Sequence, residues 1–121
     1  MNLFYPRTNQ NSVMEKATYI QESDFDSCIA DNSLVVIDFT APWCGPCRVI
    51  APLIDKLAQE YENRATVVKI DIDTNKSIPK KFNVRSIPAV LFFKDAELVE
   101  TFVGKATYEE YQEMLEKHLA D

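Results

Sequence analysis

Apolar residues along this chain fall into blocks whose period switches between two and 3.6, so strands and helices should alternate. Leu34-Val35-Val36-Ile37-Asp38-Phe39 is almost continuously apolar and β-branched, the pattern of a strand covered on both faces and therefore central in a sheet. Upstream, Ala17 to Ile20 fits a short edge strand, and a helix is predicted from about Asp24 to Ala30, with Ser23 and Asp26 spaced as a capping box. From Cys47 to about Glu62, the residues Ile50, Leu53, Ile54, Leu57, Ala58 and Tyr61 recur at helical spacing. Pro52 lies inside this long helix and predicts a bend rather than a break, because it removes one backbone hydrogen bond.

Thr66 to Ile70 reads as a second central strand, parallel to the first because a helix links them, and Ser77 to Phe82 as a short helix. Residues 89–93 and 98–103 form two strands around the polar turn Lys94-Asp95-Ala96-Glu97, which makes an antiparallel hairpin. A closing helix starts at a capping box of Thr107 and Glu110 and carries Tyr108, Tyr111, Leu115 and Leu119 on one face. The fold class is α/β: a three-layer α/β/α sandwich with a central mixed five-stranded sheet and four helices. A flexible tail over residues 1–16 is expected to precede a domain over residues 17–121.

Composition narrows the function classes. With 121 residues, 46% of them hydrophobic, the chain can build one core but not two. Its apolar runs are too short to span a membrane, and its net charge of -6 opposes attraction to nucleic acid and to anionic membrane surfaces. Met1 to Val13 has no apolar signal region, and three cysteines are too few for a secreted disulfide framework, so a cytoplasmic, reducing location is expected.

Cys44 and Cys47 stand two residues apart where a strand meets a helix, which is the setting of a redox pair. The first cysteine falls at the helix start, where unpaired N–H groups and the helix dipole stabilise an anion and lower the thiol pKa. Such a thiolate attacks disulfides, and Cys47, one turn on, resolves the mixed disulfide. Half of a zinc site is the competing reading, but it needs two more ligands, and Cys28 and His118 lack zinc-ligand spacing. The chain is therefore read without a metal. Asp38 interrupts the central strand six positions before Cys44, and burial should raise its pKa and suit it to exchange a proton with Cys47. The alternative is a structural carboxylate tied to backbone donors or to Lys69.

The run Asp38-Phe39-Thr40-Ala41-Pro42-Trp43-Cys44-Gly45-Pro46-Cys47-Arg48 resembles thioredoxins, as do Val68-Lys69-Ile70-Asp71, Ile87-Pro88 and Val103-Gly104 in order and spacing. Ala41-Pro42 and Ile50-Ala51-Pro52 are similar to bacterial and plastid members, and the likeness runs from about Ala17 to the end. This resemblance implies the thioredoxin fold and a protein-disulfide reductase that maintains redox balance, with Cys44 and Cys47 as its redox disulfide and Asp38 beside them. It implies a cis Ile87-Pro88 bond, a substrate-docking patch of Trp43, Gly45, Pro46, Ile87, Pro88 and Gly104, and Lys69 near Asp38. It also implies a monomer with no bound cofactor, served by an NADPH- or ferredoxin-dependent thioredoxin reductase and acting on disulfide-containing target proteins. Two other functions fit the same motif: a disulfide oxidant or isomerase, which usually has histidine at the position of Pro46, and a binding subunit without turnover.

Three features depart from the family pattern. Thr40 stands where many bacterial members have tryptophan, Ala96 replaces a hairpin glycine and suggests a different turn type, and no glycine ends the last helix. Cys28 shares a helical face with Phe25 and Ile29 and is expected to be buried and inert, while His118 is expected on the surface near a helix end.

Overall fold

In a computed structural model that describes residues 17–120, five strands build one sheet: β1 (Thr18–Tyr19), β2 (Leu34–Thr40), β3 (Thr66–Asp71), β4 (Ala89–Lys94) and β5 (Glu97–Val103). The tail assigned to residues 1–16 lies outside the described residues. Strand order is β1-β3-β2-β4-β5, with β1, β3 and β2 parallel and β4 and β5 each antiparallel to its neighbour. All seven residues of β2 are buried, as expected of an apolar strand in the middle of a sheet.

Four helices cover the two faces: α1 (Phe25–Asp31), α2 (Gly45–Glu60), α3 (Ser77–Lys81) and α4 (Tyr108–Leu119). Successive side chains of a strand point to opposite faces, so β2 feeds two cores. Leu34 and Val36 pack with Ile50, Ile54 and Leu57 of α2 and with Tyr111 and Leu115 of α4. Val35, Ile37 and Phe39 pack on the other side with Phe25 of α1 and Ile78 of α3. There the rings of Phe25, Phe82 and Phe93 meet at centroid distances of 5.3 to 5.4 Å. Each such side chain contributes about 1.5–3 kcal/mol of burial. By the same alternation Asp38 falls on the α2/α4 face, two residues beyond Val36.

Several local expectations change. Reciprocal capping ahead of α1 sits at Gln21 and Asp24, where the Gln21 N–H donates to Asp24 Oδ2 at 3.2 Å, and not at Ser23 and Asp26. A 3-10 turn over Glu22–Asp24 explains this, since it starts the chain turning before α1 does. Helix α2 begins at Gly45, ahead of the expected Cys47, and continues through Pro52 to Glu60 as one element. Ala96 does not divert the hairpin into another turn type. Asp95 and Ala96 both take positive φ, 50° and 69°, the two-residue conformation whose twist suits a hairpin and which glycine ordinarily supplies.

His118 is buried rather than on the surface, because the last turn of α4 lies over β5 and brings its Nε2 within 2.9 Å of Glu100 Oε2. Cys28 is half-buried against the α1/α3 core, and burial together with Asp24 and Asp31 raises its pKa, which keeps the thiol protonated.

Candidate active site

The site forms where β2 runs into α2. Cys44 is the N-cap of that helix, with extended backbone angles, and Pro46 occupies the first turn, where a missing N–H has no cost. The Cys47 N–H donates to Cys44 Sγ at 3.2 Å, so the sulfur takes the capping role an oxygen usually fills. Cys44 and Cys47 are joined in a disulfide with Cα atoms 5.3 Å apart, inside the ordinary range for a bridge. Both residues are buried, packed with Ala41 and flanked by Ile72 and Ile87.

The residues expected around the pair converge on it. Ile87 packs against the cysteines, and the Ile87-Pro88 bond is cis. The Gly104 N–H donates to the Pro88 carbonyl at 2.7 Å. Gly104 has φ +89°, which an L side chain rarely adopts, so a glycine is needed there. Gly45 and Pro46 are exposed beside them, and a Cβ on Gly45 would meet open space. Trp43 is 64% exposed, which rules out core filling, and its indole Nε1–H donates to both Asp73 carboxylate oxygens at 3.0 Å. Asp71 Oδ1 in turn accepts from the Asp73 N–H at 2.8 Å.

Asp38 registers between Lys69 of β3 and Val90 of β4 and is 1% exposed. Its Oδ1 has no hydrogen-bond partner, which argues against a purely structural carboxylate tied to backbone donors. Burial pushes its pKa up to about 7, against the pull of Lys69 and with the help of Asp55. Lys69 is drawn elsewhere, since its Nζ lies 3.0 Å from Asp55 Oδ1 of α2. A cavity of about 250 Å³ opens beside these groups. Asp38, Thr40, Cys47, Arg48 and Lys69 all line it, so Asp38 and the second cysteine border one shared space.

Two partners escaped the sequence reading. Asp55 and Asp73 sit on solvent-leaning positions of a helix and a loop, and only the packing of separate elements brings them to Lys69 and Trp43. The residues that a zinc site would have needed lie apart, with Cys28 in the α1/α3 core and His118 against Glu100. Among the described residues, no group of three or more His, Cys, Asp or Glu side chains could hold a metal ion, and no helix is long and apolar enough to cross a membrane.

Comparison with known proteins agrees with this geometry. The family model described as Thioredoxin matches residues 16–117. Thioredoxin 1 of Synechococcus elongatus is 39% identical over 107 residues, spanning 88% of this chain and 100% of that protein. A thioredoxin of Staphylococcus epidermidis is 44% identical over 100 residues, spanning 83% and 95%. Among solved structures, a mutant thioredoxin from Halobacterium salinarum superposes with a TM-score of 0.80 at 33% identity, covering 87% of this chain and 92% of that one. With a cysteine pair bonded at the start of α2 and a family match along most of its length, this chain belongs to the thioredoxin family and is a thiol–disulfide oxidoreductase.

Proposed function

We propose that the chain works in the reducing direction, as a cytoplasmic protein-disulfide reductase that carries electrons from a thioredoxin reductase to disulfide-containing target proteins. In the reduced form the Cys44 thiolate attacks one sulfur of a target disulfide. A Cys44–target bond forms, the target disulfide breaks, and the leaving thiolate takes up a proton. Cys47 then loses its proton and attacks Cys44 Sγ, which closes the intramolecular disulfide and releases the second target thiolate. Two electrons pass to the target, and a reductase restores the dithiol.

The observation that carries this reading is the bond between Cys44 and Cys47 at the helix start, with the Cys47 N–H directed at Cys44 Sγ. That donor and the helix dipole favour negative charge on the attacking sulfur. Asp38 accepts the Cys47 proton across their common cavity, and a pKa of about 7 suits it to do so near neutral pH. Lys69 limits that upward push. Extended target segments dock on Trp43, Gly45, Pro46, Ile87, Pro88 and Gly104; the packing of Ile87 against the cysteines and the exposure of Trp43 support this reading.

Reduction of insulin disulfides by dithiothreitol, followed with wild-type protein and Cys44→Ser, tests the reading. Wild type should accelerate the reduction and Cys44→Ser should not; equal acceleration by both would overturn it.

A further inference from the structure

We infer that Tyr111 of α4 is a positioning residue for Asp38, its hydroxyl and the carboxylate forming one buried polar pair in the apolar layer between β2 and α4. This rests on the proton-carrying reading of Asp38 and adds a residue to it. Among the described residues, two buried side-chain polar atoms have no hydrogen-bond partner: Asp38 Oδ1 and Tyr111 Oη. Each such atom left alone costs about 1–3 kcal/mol, so an isolated pair of them in one apolar layer would be expensive.

The two are complementary. A phenol has a proton to donate and an ionised carboxylate can only accept. Both lie in the same layer, since Tyr111 packs in the cluster with Val36 and Val90. Asp38 follows Val36 by two positions on the same strand and registers with Val90. The hydroxyl end of Tyr111 reaches the same end of the sheet. It lies by the Ala106 amide, in the loop after β5, where Val103 registers with Ala89, next to Val90. That amide favours negative charge on the phenol oxygen without being aligned as a hydrogen-bond donor. Burial, and after it the charge of Asp38, raises the Tyr111 pKa to about 12, so the hydroxyl keeps its proton at working pH.

Other groups around Asp38 leave this part to Tyr111. Lys69 of β3 is engaged by Asp55 of α2, Cys47 and Arg48 of α2 face Asp38 across the cavity, and β4 offers the apolar Val90. On Tyr111 itself the charges that act are those of Asp38 and of the exposed Glu110, whose carboxylate accepts from the Thr107 N–H, together with the Ala106 amide. Donation from the hydroxyl through one buried water stabilises the carboxylate and lowers the pH at which Asp38 ionises.

Carbon-13 NMR of the Asp38 carboxyl and of the tyrosine Cζ atoms across pH 4–9 tests the pairing, with the Tyr111 signal assigned in wild type by through-bond correlation to its own ring and backbone. In wild type the Tyr111 Cζ shift should inflect at the Asp38 midpoint. Tyr111→Phe keeps the ring and its packing, and should move that midpoint upward by about half a pH unit or more, roughly a threefold gain in proton affinity. A Tyr111 Cζ that ignores the Asp38 midpoint, or an unmoved midpoint in folded Tyr111→Phe, would overturn the inference. The wild-type reading decides the matter even if the variant is unstable. Turnover of Asp38→Asn tests the proton-carrying reading separately, because the NMR midpoints do not depend on catalysis.

Discussion

Replacing Asp38 with asparagine should stabilise the oxidised protein at pH 8 and do far less at pH 4. The carboxyl is 1% exposed with Oδ1 unpaired, and burial carries its pKa from the ordinary 3.8 to about 7. Between those two values the native chain holds the proton and the unfolded chain has released it, so stability falls as pH rises. The loss is absent below the unfolded value, accumulates through the window, and levels off above the folded one. Roughly three pH units at about 1.36 kcal/mol each make the loss about 4 kcal/mol. Asparagine cannot ionise and escapes it.

Lys69 is not orphaned by the change, because Asp55 Oδ1 stays 3.0 Å from its Nζ. The buried amide of asparagine brings its own cost of about 1–3 kcal/mol, but that cost is the same at both pH values and drops out of their difference. Denaturant unfolding of both proteins at pH 4 and pH 8 is the assay. The stability of Asp38→Asn relative to wild type should improve by about 3–4 kcal/mol between pH 4 and pH 8. A relative stability constant to within about 1 kcal/mol would refute the argument that burial loads this carboxyl.

Three further outcomes follow from the geometry. Ala96→Gly relieves a φ of 69° in the hairpin and should add about 1 kcal/mol of stability, read as a rise in Tm of about 4 °C. Cys47→Ser removes the resolving thiol, so a target protein should accumulate as a covalent adduct on Cys44 that dithiothreitol releases, seen on a non-reducing gel. Asp73→Ala frees the exposed Trp43 indole from its carboxylate and should raise the KM for a protein disulfide about two- to fivefold with little change in Tm.

Much of the fold could be read from local pattern. β2 declared itself through the nearly continuous apolar run Leu34-Val35-Val36-Ile37-Asp38-Phe39, and α4 through Thr107 and Glu110, whose side chains and backbone N–H groups pair as the spacing required. The two cysteines were legible because a two-residue gap at a strand–helix junction is short enough for local geometry to decide. Legibility ends where distant elements meet. Lys69 finds Asp55 only because α2 crosses β3, and Trp43 finds Asp73 across a separation of 30 residues. His118 looked like a surface residue because helical spacing gives its angle about α4 but not how deeply the last turn settles beside Glu100. Tyr111 read as one more apolar contact on α4, since periodicity records the ring and says nothing of where its hydroxyl ends.

Equilibrating the Cys44–Cys47 pair with mixtures of reduced and oxidised glutathione at pH 7, then quenching and counting free thiols, tests the central claim most directly. A reducing pair should give up its electrons readily, and its disulfide should persist until reduced glutathione is in large excess. A disulfide that modest amounts of glutathione reduce would mark an oxidant and contradict the account.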